Sequence, residues 1–224
     1  MAALTHPSPN YGDRRDGAAV SLVVLHYTAM DSAEAAIERL CDPVAEVSAH
    51  YLIAEDGELC TLVAEKKRAW HAGAGAWQGC RDVNSASIGI ELANDGASPF
   101  AEVQMAALER LLDDILVRYG LGPEAVIGHS DMAPARKGDP GRRFDWRRLA
   151  KAGRSVWPRG AEPGAFFEDA VRFGYPVDAG EDAVLAAFRL RFRPGASGPV
   201  DPADAALAAD LAARFGVDRE AGST

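Results

Sequence analysis

Cysteine is scarce in this 224-residue chain, and long apolar runs and an excess of positive charge are missing from it. Cys41, Cys60 and Cys80 are odd in number and show no C-x-x-C spacing, which favours three reduced thiols in a reducing compartment over a single disulfide. No apolar run approaches the ~20 residues that a membrane-spanning helix needs. The net charge of −9 argues against binding nucleic acid through its phosphates.

Apolar residues make up 48% of the chain, which is enough for a substantial core. Short apolar runs bounded by turn residues predict strands over 21–27, 87–92 and 124–129. An Asp-Gly pair at 56–57 predicts a hairpin, and helical spacing of apolar residues predicts helices over about 31–41 and 101–119. Strands that alternate with helices indicate an α/β fold, a sheet covered by helices.

Composition changes over residues 153–164, where Pro and Gly accumulate as in a linker. Three amphipathic helical patterns follow it, over about 166–175, 182–192 and 202–215. We therefore predict two domains, a larger one over residues 1–158 and a small acidic three-helix module over residues 159–224.

Three side chains have the chemistry and the placement of metal ligands. His26 and His129 each end a short apolar run, and Asp139 lies in a Gly/Pro loop ten residues after His129. Two neutral imidazoles and one carboxylate match the ligands of a hydrolytic zinc ion, whose fourth position is left to water. Taken alone, these residues leave ordinary roles in a core and a turn equally open.

Glu91 is an acidic residue in an otherwise apolar predicted strand. Because strand side chains alternate, Glu91 shares a face with Ser87 and Gly89, opposite Ile88 and Ile90. Its functional interpretation is a general base that takes a proton from water, and a solvent-facing carboxylate is the alternative.

Five motifs occur in one order along the chain: LHYTA at 25–29, VSAHYL at 47–52, WHAG at 70–73, NSASIGIEL at 84–92 and GHSD…RKGDPG at 128–141. Together they resemble the zinc-dependent N-acetylmuramoyl-L-alanine amidases, the type related to phage T7 lysozyme and to peptidoglycan recognition proteins. The resemblance covers about residues 8–158 and is greatest to the two-domain AmiD-type members. It implies a central mixed β-sheet flanked by helices.

The resemblance also implies roles for five residues. His26, His129 and Asp139 match the zinc ligands, Glu91 matches the catalytic carboxylate, and Lys137 matches the lysine that helps to stabilise the oxyanion. The implied reaction is hydrolysis of the amide bond between the lactyl group of N-acetylmuramic acid and L-alanine, in muropeptides or peptidoglycan fragments. The alternative is a peptidoglycan recognition protein that binds without cleaving, and the presence of Glu91 and Lys137 argues against it.

Weaker expectations concern substrate contacts and the C-terminal helices. His71, Trp77, Arg81 and Asn84 are candidates for contacts with sugar or peptide, and packing within their loop is an equally good interpretation. The three C-terminal helices resemble a peptidoglycan-binding-like module, for which a helical cap without a ligand is the alternative.

The compartment is the last expectation. Neither an export signal nor a lipoprotein cysteine occurs near Met1, and with three unpaired cysteines this favours the cytoplasm and the recycling of 1,6-anhydro-muropeptides. The two-domain layout favours the periplasm instead, because the look-alikes that share it are exported. We expect a monomer without a membrane span.

Overall fold

Two buried parallel strands, β3 (Leu22–Tyr27) and β7 (Ser87–Leu92), form the centre of the fold in the computed structural model, which describes residues 4–217. They pair with His26 opposite Glu91. On either side lie the parallel strands β4 (Tyr51–Ile53) and β8 (Val126–Gly128). The apolar runs predict both central strands, and the structure confirms them.

The sheet is mixed because β5 (Leu59–Thr61) runs antiparallel to β4 while β1 (Leu4–Thr5) runs parallel to β5. The strand order is β1-β5-β4-β7-β3-β8, and a separate ribbon pairs β2 (Tyr11–Asp13) with β6 (Lys67–Ala69). Gly57, in the predicted Asp-Gly turn between β4 and β5, has a positive φ of 84°, which glycine adopts without strain. The structure thus confirms the hairpin and the mixed sheet.

Helices cover both faces of the sheet. Their bounds are α1 (Ala33–Cys41), α2 (Val83–Ala86), α3 (Glu102–Tyr119), α4 (His129–Met132), α5 (Trp146–Lys151), α6 (Phe166–Phe173), α7 (Glu181–Phe192) and α8 (Pro202–Phe215). The side chain of Ser32 caps α1, and Gly120 ends α3 in the left-handed region at φ 63°. All three predicted C-terminal helices are present.

The two faces of the central strands pack against different helices. Val23, Leu25 and Ile90 lie in a core with the apolar side of α3. Leu22 and Val24, on the opposite face of β3, lie in a core with residues of α6, α7 and α8. The apolar core is therefore continuous across the predicted domain boundary at residue 158.

A buried polar network also joins the C-terminal helices to α4. Asp131 accepts hydrogen bonds from Arg191 Nη1 at 2.6 Å, from the Tyr175 hydroxyl at 2.7 Å and from the Gly128 backbone N–H at 2.8 Å. Arg191 further donates to the carbonyl of Val126 at 3.0 Å. The network thus holds the end of β8 and the start of α4 against α7.

One predicted element differs in its bounds. The strand predicted to end at His129 is shorter, because residues 123–125 form a 3-10 turn and β8 stops at Gly128. His129 is instead the first residue of α4. Cys41, Cys60 and Cys80 are free thiols, and within residues 4–217 no helix is long and apolar enough to span a membrane.

Candidate metal centre

The carboxyl ends of three neighbouring parallel strands bring the candidate residues together. In the order β7, β3, β8, these ends supply Glu91, His26 and, one residue beyond the strand, His129. The carboxyl edge of parallel strands is where α/β sheets commonly bind ligands, because the chain leaves the sheet there in loops that surround a crevice. Asp139 reaches the same edge from the loop after α4.

Three atoms form the centre of the site. His26 Nδ1 lies 2.9 Å from His129 Nδ1 and 2.9 Å from Asp139 Oδ2, and His129 Nδ1 lies 3.0 Å from the same carboxylate oxygen. All three residues are buried. Among residues 4–217 they are the group of His, Cys, Asp and Glu side chains with the spacing of a metal site.

The hydrogen bonding of His129 shows what this triangle can hold. Its Nε2 lies 2.8 Å from the carbonyl of Ala72, which only accepts, so the ring proton is on Nε2 and the Nδ1 lone pair points into the triangle. Burial and the neighbouring His129 lower the pKa of His26 to about 4, so this ring is neutral near pH 7. Ligand atoms around a tetrahedral zinc ion lie roughly 3.3 Å apart. The spacing and the donor set therefore fit a cation.

Asp139 is held in place by the backbone of its loop. The Ser130 N–H donates to the Asp139 carbonyl at 2.9 Å, which ties the loop to the first turn of α4. Gly128 permits this approach, because a Cβ there would lie 2.8 Å from Pro140 Cδ. Burial alone would raise the pKa of Asp139, but the adjacent imidazoles of His129 and His26 outweigh it and hold that pKa below its usual value.

Glu91 lies beside the triangle on the strand that pairs with His26. Its Oε2 is buried without a hydrogen-bond partner. Burial and the negative charge of Asp139 raise the pKa of Glu91 to about 8, against the opposing charge of Lys137. A carboxylate in this setting takes up a proton readily, as a general base must.

A cavity of about 470 Å³ opens over these residues. The three candidate metal ligands, Glu91 and Lys137 are among the residues that line it, as are Met30, Arg39 and Trp70. Sequence reasoning missed Arg39, because it reads as an ordinary exposed position of α1. The sequence does indicate Trp70, because it is the first residue of the WHAG motif.

His71 and Asn84 are buried, and both contact the polypeptide around the site. The ring of His71 lies between His26 and Ser87, and the residue also lines the cavity. The Asn84 side-chain oxygen accepts from the backbone N–H groups of His71 and Ala72, so it fixes the loop that carries His71.

Trp77 and Arg81 are not among the residues that line the cavity, so the structure does not bring these two candidates to the metal centre. Trp77 is 1% exposed and packs edge-on against Phe173 and Tyr175, so no sugar face can reach its ring. Arg81 is exposed and forms an ion pair with Asp178 at 3.2 Å, beyond the residues that line the cavity. Both side chains instead attach the loop over residues 70–81 to the C-terminal part of the chain.

This fold and this site define a class of protein: an α/β enzyme with the donor set of a metal-dependent hydrolase. Residues 16–142 match the family described as N-acetylmuramoyl-L-alanine amidase. N-acetylmuramoyl-L-alanine amidase AmiD of Escherichia coli (strain K12) is 35% identical over 89% of this chain and 84% of its own length. The 1,6-anhydro-N-acetylmuramyl-L-alanine amidase AmpD of Citrobacter freundii is 36% identical over 64% of this chain and 86% of its own.

Two solved structures agree. Escherichia coli AmiD, in complex with the substrate anhydro-N-acetylmuramic acid-L-Ala-D-gamma-Glu-L-Lys, superposes with a TM-score of 0.80 at 34% identity, over 88% of this chain and 90% of that one. Pseudomonas aeruginosa AmpDH3, in complex with anhydromuramic pentapeptide, gives 0.79 at 32% identity, over 94% and 96%. The chain belongs to the N-acetylmuramoyl-L-alanine amidase family and is an amidase of the AmiD/AmpD type.

Proposed function

We propose that this amidase holds a zinc ion between His26, His129 and Asp139 and cleaves the bond between the lactyl group of N-acetylmuramic acid and L-alanine. The observation that carries the proposal is the triangle of ligand atoms about 3 Å apart. Catalytic zinc sites use three protein ligands, because the fourth position must admit water or substrate. The unpartnered oxygen of Glu91 lies next to this group.

The chain's own residues divide the remaining chemistry. When bound, zinc acidifies a water molecule and polarises the scissile carbonyl. Glu91 accepts the proton of the attacking water and returns a proton to the departing amine of L-alanine, for which its raised pKa is suited. Lys137, at the exposed rim of the cavity, places a positive charge where the carbonyl oxygen becomes negative.

The substrate class follows from the cavity and the relatives. Arg39, Arg136 and Lys137 line the cavity, and three cations suit a ligand with peptide carboxylates. AmiD and AmpDH3 each hold an anhydromuramic peptide in the complexes described above. We therefore propose muropeptides that carry an anhydro-muramic end as substrates.

The decisive experiment combines metal analysis with a cleavage assay on a purified muropeptide. Zinc bound in a one-to-one ratio and release of free stem peptide are expected. His26→Ala, His129→Ala and Asp139→Ala should each abolish zinc binding, while Asp145→Ala, which alters an exposed helix cap, should retain it. Protein that binds muropeptide without zinc and without cleavage would establish the recognition protein instead.

We further propose a cytoplasmic recycling role. Three free thiols suit a reducing compartment, and AmpD relatives are named for 1,6-anhydro substrates. A periplasmic location is the alternative, since AmiD matches both the N-terminal and the C-terminal part of the chain. Fractionation of the native host decides between them: recovery in the periplasmic or membrane fraction would overturn the cytoplasmic role but not the amidase chemistry.

The helices of residues 159–224 are proposed as a peptidoglycan-binding-like domain beside the amidase domain of residues 1–158. Co-sedimentation with insoluble peptidoglycan, in the presence of saturating soluble muropeptide, separates this role from binding at the cavity. Binding that persists supports a second site on the C-terminal helices. Binding that disappears would identify these helices as a cap that only packs on the sheet.

A further inference from the structure

His71 lies outside the metal-ligand triangle, yet it is hydrogen-bonded to one member of it. His71 Nδ1 lies 3.0 Å from His26 Nε2, the ring nitrogen that faces away from the triangle. On its other side, His71 Nε2 lies 3.1 Å from the Ser87 hydroxyl, and this hydroxyl donates to the Val83 carbonyl at 2.5 Å. Four residues thus form one buried chain of hydrogen bonds that ends at a backbone carbonyl.

The carbonyl of Val83 sets the direction of every hydrogen bond in this chain. A carbonyl oxygen only accepts, so the Ser87 hydroxyl must direct its proton toward Val83. The Ser87 oxygen then accepts from His71, which places the ring proton of His71 on Nε2 and leaves Nδ1 unprotonated. His71 Nδ1 in turn accepts from His26, so the ring proton of His26 is on Nε2.

If these hydrogen bonds ran in the opposite direction, the triangle could not bind a metal ion. If Ser87 donated to His71, the ring protons would shift to His71 Nδ1 and to His26 Nδ1, inside the triangle. That arrangement would also leave the Ser87 and Val83 oxygens 2.5 Å apart with no proton between them. The lone pair of His26 Nδ1 is free to bind a cation only when Ser87 donates to Val83 and accepts from His71. Both His26 and His129 then direct an unprotonated Nδ1 into the triangle.

Neighbouring residues of the polypeptide hold His71 in this position. Gly89 lies directly beneath its ring, where a Cβ would approach His71 Cγ to 2.4 Å. Asn84 accepts from the backbone N–H of His71 at 3.0 Å. The glycine in β7 and the asparagine in α2 therefore both serve the placement of one imidazole.

We propose that His71 and Ser87 are positioning residues that fix the ring proton of His26 on Nε2 and thereby keep Nδ1 available to the metal. This inference rests on the proposed zinc site. Neither residue is assigned to the ligand group, and both act through His26.

The sharpest test compares two buried serines of the same segment. Ser87→Ala removes the end of the chain without touching a ligand, whereas Ser85→Ala removes a hydroxyl that donates to Asp82 at 2.8 Å. Zinc affinity is measured by competition with a chromogenic chelator. Ser87→Ala should weaken it roughly 10- to 100-fold, the usual cost of losing a partner of a ligating histidine, and Ser85→Ala should leave it unchanged. Equal zinc affinity of the Ser87→Ala variant and the parent protein would overturn the proposal.

A second variant pair keeps the test independent of folding defects at Ser87. His71→Leu removes the acceptor for His26, and His71→Gln replaces it with an amide that can accept from His26 and donate to Ser87. The glutamine variant should recover part of the zinc affinity that the leucine variant loses. Equal affinities of the two variants would contradict a role through hydrogen bonding.

Nitrogen NMR of the histidine rings reads the proton positions directly. His26 and His71 should both carry their ring proton on Nε2, in the metal-free protein as well as in the zinc-loaded protein. A proton on Nδ1 of His71 would overturn the inference. Failure of the parent protein to bind zinc would instead reject the proposed metal site, while the metal-free spectrum would still decide the direction of the chain.

Discussion

At the scale of single residues, Glu91 lies in surroundings unlike those of an ordinary surface carboxylate. One of its oxygens is buried without a donor, and the pKa of the group is raised to about 8 by burial and by Asp139. A structural glutamate would be expected to form hydrogen bonds, because an unpartnered buried oxygen costs stability. An oxygen left free beside the proposed metal ligands is instead available to the reaction.

Glu91→Gln should therefore keep zinc and lose most of the rate. Glutamine is nearly isosteric but cannot accept a proton from water, and a positioned general base contributes roughly 10² to 10⁴-fold. Metal content and kcat on a purified muropeptide measure the two effects separately. A fully active Glu91→Gln protein would show that another group is the base.

Lys137→Ala should also retain the metal, because Lys137 lies outside the ligand group. We expect kcat to fall on the order of 10²-fold or more, by analogy with the loss of one oxyanion donor. Lys151→Ala, at the end of α5 and outside the cavity, is the matched control and should leave kcat unchanged. An equal kcat for both variants would rule out a catalytic role for Lys137.

Some residues of the site could be predicted from the sequence, and some of their contacts could not. Residue type and strand ends made His26, His129 and Glu91 candidates, and the Gly/Pro loop did the same for Asp139, but only the resemblance to the amidase family gave them roles. The burial of Trp77 was not predictable, since nothing in the loop sequence shows that Phe173 and Tyr175 cover it. The link between Ser87 and His71 depends on how a distant loop folds over β7, which local patterns do not encode.

At the scale of elements, the end of β8 controls how closely the Asp139 loop approaches His129. Gly128 faces Pro140 and Trp146 at distances of 2.8 and 3.2 Å from an ideal Cβ. A side chain there must displace the loop, and the displacement moves Asp139, one of the proposed metal ligands. This short strand is followed directly by α4, which begins at His129.

Gly128→Ala should weaken zinc binding, because the new methyl group pushes the Asp139 loop away from His129. Gly138→Ala provides the control in the same loop, since a Cβ there has no atom within 4 Å. Chelator competition on both variants measures the difference. Comparable zinc affinity of the Gly128→Ala variant and the parent protein would show that the loop adapts without cost.

The elements themselves were predicted well where periodicity is long or turn chemistry is specific. α3 follows from its apolar spacing and its glycine stop, and the β4–β5 hairpin follows from Asp-Gly. The predicted end of the strand is wrong at His129, because the three residues of β8 are followed directly by the single turn of α4. Two elements this short leave no periodicity by which a boundary could be recognised.

At the scale of the whole molecule, the C-terminal helices and the sheet depend on each other. The core on one face of β3 includes residues of α6, α7 and α8, and the Asp131 network ties α7 to the chain that carries His129. Both side chains of the Arg191–Asp131 pair are essentially unexposed. A charge buried this deeply must keep its partner.

Arg191→Met should destabilise the fold by roughly 3 to 5 kcal/mol, because it leaves the charge of Asp131 buried and uncompensated. Arg214→Met, which removes a partly exposed pair with Asp210 four residues away, should cost no more than about 1 kcal/mol. Urea unfolding monitored by circular dichroism gives both values. Equal costs would mean that the buried network contributes no more than a surface pair.

The metal-free protein should lose stability as the pH falls from about 6.5 to 4. Burial lowers the pKa of His50 to about 4, so the unfolded chain binds a proton across this range that the folded chain does not bind. The loss from His50 alone is on the order of 3 kcal/mol and is complete below pH 4. His50→Gln, unfolded in urea at pH 7 and pH 4.5, should show a smaller decrease between the two pH values than the parent protein. An identical decrease would exclude His50 as a cause.

The Asp131 network has a consequence for anyone who recombines these enzymes. A single carboxylate receives a hydrogen bond from the catalytic half of the chain and hydrogen bonds from two residues of the other half. A chimera that exchanges all of the C-terminal helices takes Tyr175 and Arg191 from one parent and Asp131 from the other, so the incoming helices must supply the same two residues. Crossover points after residue 192 keep this junction intact, whereas crossovers near residue 158 divide it between two parents.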